Sequence, residues 1–181
     1  MRKSLFIQFT AIILIVFVFL FNVQSIRAEI GPNIEGPLFN PIVPDKISIR
    51  VDSSDYRRFQ VNLMKAVKGK HVPRKLKKKV SAAFSWEEPG AGAVVEVGRM
   101  RQMGDGEDHI ERHGRQMVSS IAVKLKTGNI GGITRFKLLL PHTRGGNEEI
   151  FVTTLLEKIG LLSPYTKMVS VDFNGIKLPM L

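Results

Sequence analysis

The sequence predicts an α+β protein in which a twisted antiparallel sheet with one or two helices follows an N-terminal transmembrane helix. Three observations lead there. Residues Leu5 to Val23 form an apolar run broken only by Gln8, Thr10 and Asn22. About 20 such residues let a helix cross a bilayer, whereas the apolar part of a cleavable signal is about 7–15. Beyond this run, several short segments alternate apolar and polar residues or stay apolar between turn signals, as strands do. Two further segments repeat apolar residues at every third or fourth position, as helices with one buried face do.

The chain has 181 residues, 27 lysines and arginines against 16 acids, a net charge of +11 and no cysteine. Without cysteine there is no disulfide scaffold, Cys-ligated zinc module, iron–sulfur site or thiol catalysis. The charge is uneven. Between Tyr56 and Trp86 stand ten basic residues (Arg57, Arg58, Lys65, Lys68, Lys70, Arg74, Lys75, Lys77, Lys78, Lys79) and no acid, so this stretch alone supplies +10.

Taken in order, Arg2, Lys3 and the terminal amine place the N-terminus in the cytoplasm and everything beyond about residue 26 outside it. Retention of residues 1–26 gives a single-pass protein of the cell membrane. Cleavage after Ser25 or Ala28 gives a secreted one. Residues 27–44 read as a stalk, since Gly31 to Pro44 hold four prolines and two glycines, a composition with no helix and little to bury. The domain then runs over 45–181. Lys46 to Val51 is the first strand. Ser53 or Ser54 is the expected N-cap of a basic helix whose Tyr56, Phe59, Leu63 and Val67 form one stripe up to Gly69. The lysine-rich run to Lys79, interrupted by Pro73, reads as a solvated loop.

Val80 to Trp86 and Ala93 to Met100 pair as a hairpin around Glu87-Glu88-Pro89-Gly90-Ala91-Gly92. Gly104 to Gly114 is a polar loop. Ser120 to Leu125 and Thr134 to Leu140 are strands separated by a Gly-rich turn, and Pro141 ends the second. Asn147 is the expected N-cap of another helix, with Glu148 and Glu149 in its first turn and Ile150, Phe151, Leu155 and Ile159 as its apolar stripe. Asn174-Gly175 between two apolar runs signals a closing hairpin. Its second strand reaches Leu181 without a cap or polar flank, so the domain is expected to be incomplete at its C-terminus.

From about Asp45 onward the motifs resemble the CotH-like family of spore-coat kinases and their relatives. The resemblance is carried by Arg99 and Arg101 with Met103-Gly104-Asp105-Gly106-Glu107-Asp108-His109, then Ser119 to Leu125, Arg135-Phe136-Lys137-Leu138, and Pro141-His142-Thr143-Arg144-Gly145. Leu161-Leu162-Ser163-Pro164 and Val171-Asp172-Phe173-Asn174-Gly175 complete it. It implies the small lobe of an atypical protein kinase, a twisted antiparallel sheet with one helix, binding ATP with a divalent metal. A kinase small lobe holds the nucleotide phosphates with a strand lysine that a helix glutamate steadies. Lys124 in Ile121-Ala122-Val123-Lys124 matches that lysine, with Lys137 as the competing choice and Glu149 or Glu148 as its partner. The phosphate-facing loop is then either Gly104 with Asp105 or the Gly90 to Val97 turn. The pattern departs from the family in one place, because the strand Thr134 to Leu140 intervenes between Lys124 and the helix.

Other constellations favour plainer readings. Gly90 to Val97 lacks the third glycine of a phosphate-covering loop and reads as a tight turn. Asp105, Glu107, Asp108, His109, Glu111 and His113 bring acids and imidazoles together, which suits zinc or manganese. Their spacing matches neither a zinc-protease helix nor a calcium loop, so a polar surface loop is expected and no metal site is assigned. His142 has no recognisable base partner and is read as structural. The basic stretch lacks exposed aromatics for stacking, so no nucleic-acid partner is expected.

Two functions follow. The first is a membrane-anchored, exported fragment of a CotH-like kinase without phosphotransfer activity of its own, since the resemblance implies that the catalytic aspartate and the metal-binding acids belong to the larger lobe, and no catalytic residue is assigned here. The second is a non-enzymatic, membrane-anchored binding protein whose basic face, Arg57 to Lys79, engages an acidic protein or a surface polymer.

Overall fold

The computed structural model describes residues 41–69 and 71–181. The expected anchor, and the stalk up to residue 40, lie outside the described residues. Among the described residues no helix is long and apolar enough to cross a membrane.

The elements run β1 (Lys46–Arg50), α1 (Ser53–Lys68), β2 (Val80–Glu88), β3 (Gly92–Gln102), β4 (Ile110–His113), β5 (Gln116–Ser119), β6 (Ile121–Leu125), β7 (Arg135–Leu138), α2 (Asn147–Lys158), β8 (Val169–Phe173) and β9 (Ile176–Met180). Seven strands form one sheet in the order β7-β6-β3-β2-β1-β8-β9, and β4 with β5 forms a separate pair. Neighbours are antiparallel except β1 and β8, which run parallel with Ile47 beside Val171 and Ile49 beside Phe173. Just beyond β7, Leu139 exchanges both backbone hydrogen bonds with Leu181, at 2.8 and 2.9 Å. The sheet therefore curls until its two edges meet, which leaves little unpaired edge.

This corrects the expected α+β small lobe. Strands dominate the described residues, the sheet is mixed rather than antiparallel, and it is curled rather than open. The physical reason lies in what covers the apolar face. Alternation puts Ile49, Phe84, Met100, Val123, Val171 and Leu178 on one side of the sheet, all buried. α1 buries Phe59, Leu63 and Ala66, but α2 buries only Thr153. One helix cannot cover seven strands, so the sheet closes on its own apolar face. The void beside Ser119 is only about 10 Å³, room for one water at most, so the side chains there are closely packed.

Locally, several expectations shift by a residue. The N-cap of α1 is Asp52, not Ser53 or Ser54, because its carboxylate accepts from the backbone N–H groups of Ser54 and Asp55 at 2.9 and 3.0 Å. α2 starts at Asn147 itself, with Gly146 as the cap and no side-chain bond. The polar loop from Gly104 to Gly114 is partly ordered as β4, which pairs with β5 across Gly114-Arg115. The Asn174-Gly175 hairpin forms as expected, with Asn174 at φ 46° and Gly175 at φ 92°, the mirror-image turn that matches strand twist. Asn174 also clamps β1: its side-chain oxygen accepts from the Val51 N–H at 2.8 Å and its amide donates to the Val51 carbonyl at 3.1 Å.

α1 and the β4–β5 pair pack over the end where β8 finishes and β6 begins. Tyr56 and Phe59 set their rings edge-on to Phe173 at 5.7 and 5.9 Å. Gln60 exchanges two hydrogen bonds with the Met117 backbone, at 2.7 and 2.8 Å, standing in for a strand neighbour. β3 crosses the core at Gly98, where a Cβ would lie 2.8 Å from the Phe84 ring and 2.9 Å from the Lys124 carbonyl oxygen. The ring can shift only by displacing its neighbours and the carbonyl is backbone, so no side chain fits there without a rearrangement.

Candidate functional site

The basic stretch folds into two elements. Phe59, Leu63 and Ala66 turn α1 onto the core, which leaves Arg57, Lys65 and Lys68 exposed on its other side. Pro73 starts a 3-10 turn, Arg74–Leu76, which packs back on α1, and Arg74, Lys75, Lys78 and Lys79 are exposed around it. Two cations of the stretch are spoken for. Arg58 pairs with Asp55 one turn away, and Lys77 pairs with Asp105. Lys70 lies outside the described residues, and the remaining seven have no acidic partner among those described.

Asp105, expected beside a phosphate, is thus held by a lysine, whose hydrogen bond lowers the carboxyl below its ordinary range. Its carbonyl also accepts from the Val72 N–H at 2.9 Å. Gly104 sits at φ 86° under the His109 ring, and a Cβ there would lie 2.0 Å from that ring. The ring's Nδ1 lies 3.2 Å from the Ser120 hydroxyl, which accepts from the Leu140 N–H at 3.0 Å. His142 donates from Nε2 to the Asp108 carbonyl at 2.7 Å. These bonds fix the Gly104 to His109 segment against β6 and the chain after β7. Glu111 lies 3.1 Å from His113 and 3.9 Å from His142, and no group of three or more potential metal ligands comes together among the described residues.

Lys124 and Lys137 fall on the outward face of the curled sheet, on neighbouring strands. Lys124 lies beside Arg135, and Lys137 beside Ala122. Glu148 and Glu149 open α2, and no ion pair joins either of them to Lys124 or Lys137 among the described residues. The residues present therefore do not assemble the lysine–glutamate grip that ATP with a divalent metal would need. The structure instead surrounds the two lysines with Arg99, Arg101, Lys126 and Arg135, all exposed. That grouping was hidden in the sequence because the six cations are spread over 39 positions with acids of the Gly104 loop between them. The signal was the two-residue spacing of each pair: Arg99 and Arg101, Lys124 and Lys126, Arg135 and Lys137.

Against family models, curated proteins and solved structures, the chain finds no match.

Proposed function

We propose that the protein is a non-enzymatic binding module that engages an anionic partner through the face formed by α1 and the Arg74 to Lys79 segment. In this reading the N-terminal residues 1–26 hold it at the outer side of the cell membrane. The reading is supported above all by seven exposed cations on one helix and the turn packed against it, none with an acidic partner among the described residues. Such a surface raises the local concentration of an acidic protein or surface polymer, and the attraction is screened by salt.

The test titrates the full chain, in a non-ionic detergent, with fluorescent polyglutamate. Binding is expected to weaken steeply with salt, to ignore ATP with manganese, and to fall by about tenfold or more when Lys65, Lys68, Lys75 and Lys78 are all changed to Gln. Binding that ignores salt, or survives those substitutions, overturns the proposal. Competition by ATP with manganese favours the CotH-like nucleotide reading instead.

A further inference from the structure

The outward side of β3, β6 and β7 carries a second basic surface that no single stretch of sequence contains. Register puts Arg99, Lys124 and Arg135 side by side in one row across three strands, with Arg101 and Lys137 flanking Ala122 in the next row. Lys126 donates its N–H to the Val97 carbonyl at 2.9 Å, which places it in the row before. The six cations occupy about 13 Å along the strands and about 10 Å across them, from ordinary strand rise and spacing. The neighbouring outward residues of β2, Ser81 and Ala83, are uncharged, and none of the six cations has an ion-pair partner among the described residues. The nearest acid in sequence, Glu96, is turned to the Thr127 hydroxyl at 2.6 Å.

Like charges directly opposite each other on adjacent strands destabilise a sheet. Three in a row is a local cost without a local gain, the kind of conflict that marks a surface kept for binding. From this we infer that the β3–β6–β7 face binds a linear phosphate polymer. A chain crossing about 13 Å of this face neutralises it only if it carries nearly one charge per cation, which phosphates linked in series do and polymers with one charge per sugar ring do not. Arginine forks grip phosphate oxygens in pairs, and lysines add point charge. No aromatic residue faces outward here, since Phe136 turns inward against Phe84 at 6.4 Å. The face therefore offers no platform for stacked bases.

The probe is long-chain inorganic polyphosphate, titrated into the full chain in a non-ionic detergent over a range of salt. The triple variant R99Q/K124Q/R135Q is expected to bind about tenfold or more weakly at 0.15 M salt. The slope of log affinity against log salt should fall by about one per cation removed. Its melting temperature should hold or rise, because like-charge contacts are gone, while R99K/R135K should keep most of the affinity. If the triple melts early, K124Q alone still reads a slope change of about one. Wild-type affinity in the triple, with loss in K65Q/K68Q/K75Q/K78Q, overturns this inference and leaves the α1 proposal standing. Tighter binding of heparin or duplex DNA than of polyphosphate overturns the phosphate-chain assignment.

Discussion

Gln102 stands where the alternation of β3 demands an apolar residue. Gly98 and Met100 point into the core, and Gln102 follows them inward and is only 1% exposed. Neither its amide nitrogen nor its oxygen has a partner among the described residues. A buried amide that lost water without gaining a hydrogen bond costs about 1–3 kcal/mol. Gln102→Met keeps the length of the side chain and removes both polar atoms, so it is expected to raise stability by about 1 kcal/mol. Urea denaturation checks this, and a loss of stability would mean that the amide is satisfied. The strand was expected to end at Met100, so the inward position of Gln102 emerges only because β3 runs on to it. The missing partners were not legible either, because they depend on which side chains of other elements meet Gln102 inside the core.

α2 has a helical sequence but little to hold it. The stripe of Ile150, Phe151, Leu155 and Ile159 was expected to face the core, yet Phe151 is 69% exposed and Leu162, just past the helix, is 90% exposed. Thr153 is the one buried residue, and it spends its hydroxyl on the Glu149 and Ile150 carbonyls of its own helix. Periodicity marks a helix that has an apolar face. It cannot say whether another element reaches that face, and here the closed sheet takes the cover that α2 would have supplied. A 12-residue helix is marginal without tertiary support. Hydrogen exchange is therefore expected to open α2 at least about 2 kcal/mol more easily than α1. Equal protection in the two helices would mean that α2 is covered in solution. α1, the β2–β3 hairpin and the β8–β9 hairpin were legible because each is set by neighbours in sequence. β4 and β5 were missed because Glu111, Arg112 and Gln116 give them no apolar alternation.

The closure of the molecule rests on pairings that no local pattern announces. β1 and β8 lie side by side in parallel although more than a hundred residues separate them, and the cationic rows of β3, β6 and β7 exist only because the β3–β6 and β6–β7 ladders set their register. On the outer face, Arg50 and Asp172 lock β1 to β8 with two bonds, at 2.7 and 3.0 Å, while Arg50 also donates to the Asp172 carbonyl at 3.1 Å. The Arg50 hydrogen bonds hold the Asp172 carboxyl down at about 2, against an ordinary 3.8. The sign follows from that direction. A carboxyl depressed in the folded state adds stability that is present above pH 3.8 and is lost as the pH falls toward 2. The guanidinium is half exposed, so solvent screening reduces the contribution to about 1 kcal/mol. Asp172→Asn should therefore be less stable than the parent at neutral pH by about that amount, and the two proteins should converge as the pH is lowered through this window. Urea midpoints measured from pH 7 down to pH 2 decide it. A gap that stays constant over the whole range would show that Arg50 and Asp172 hold the β1–β8 pairing by packing rather than by charge.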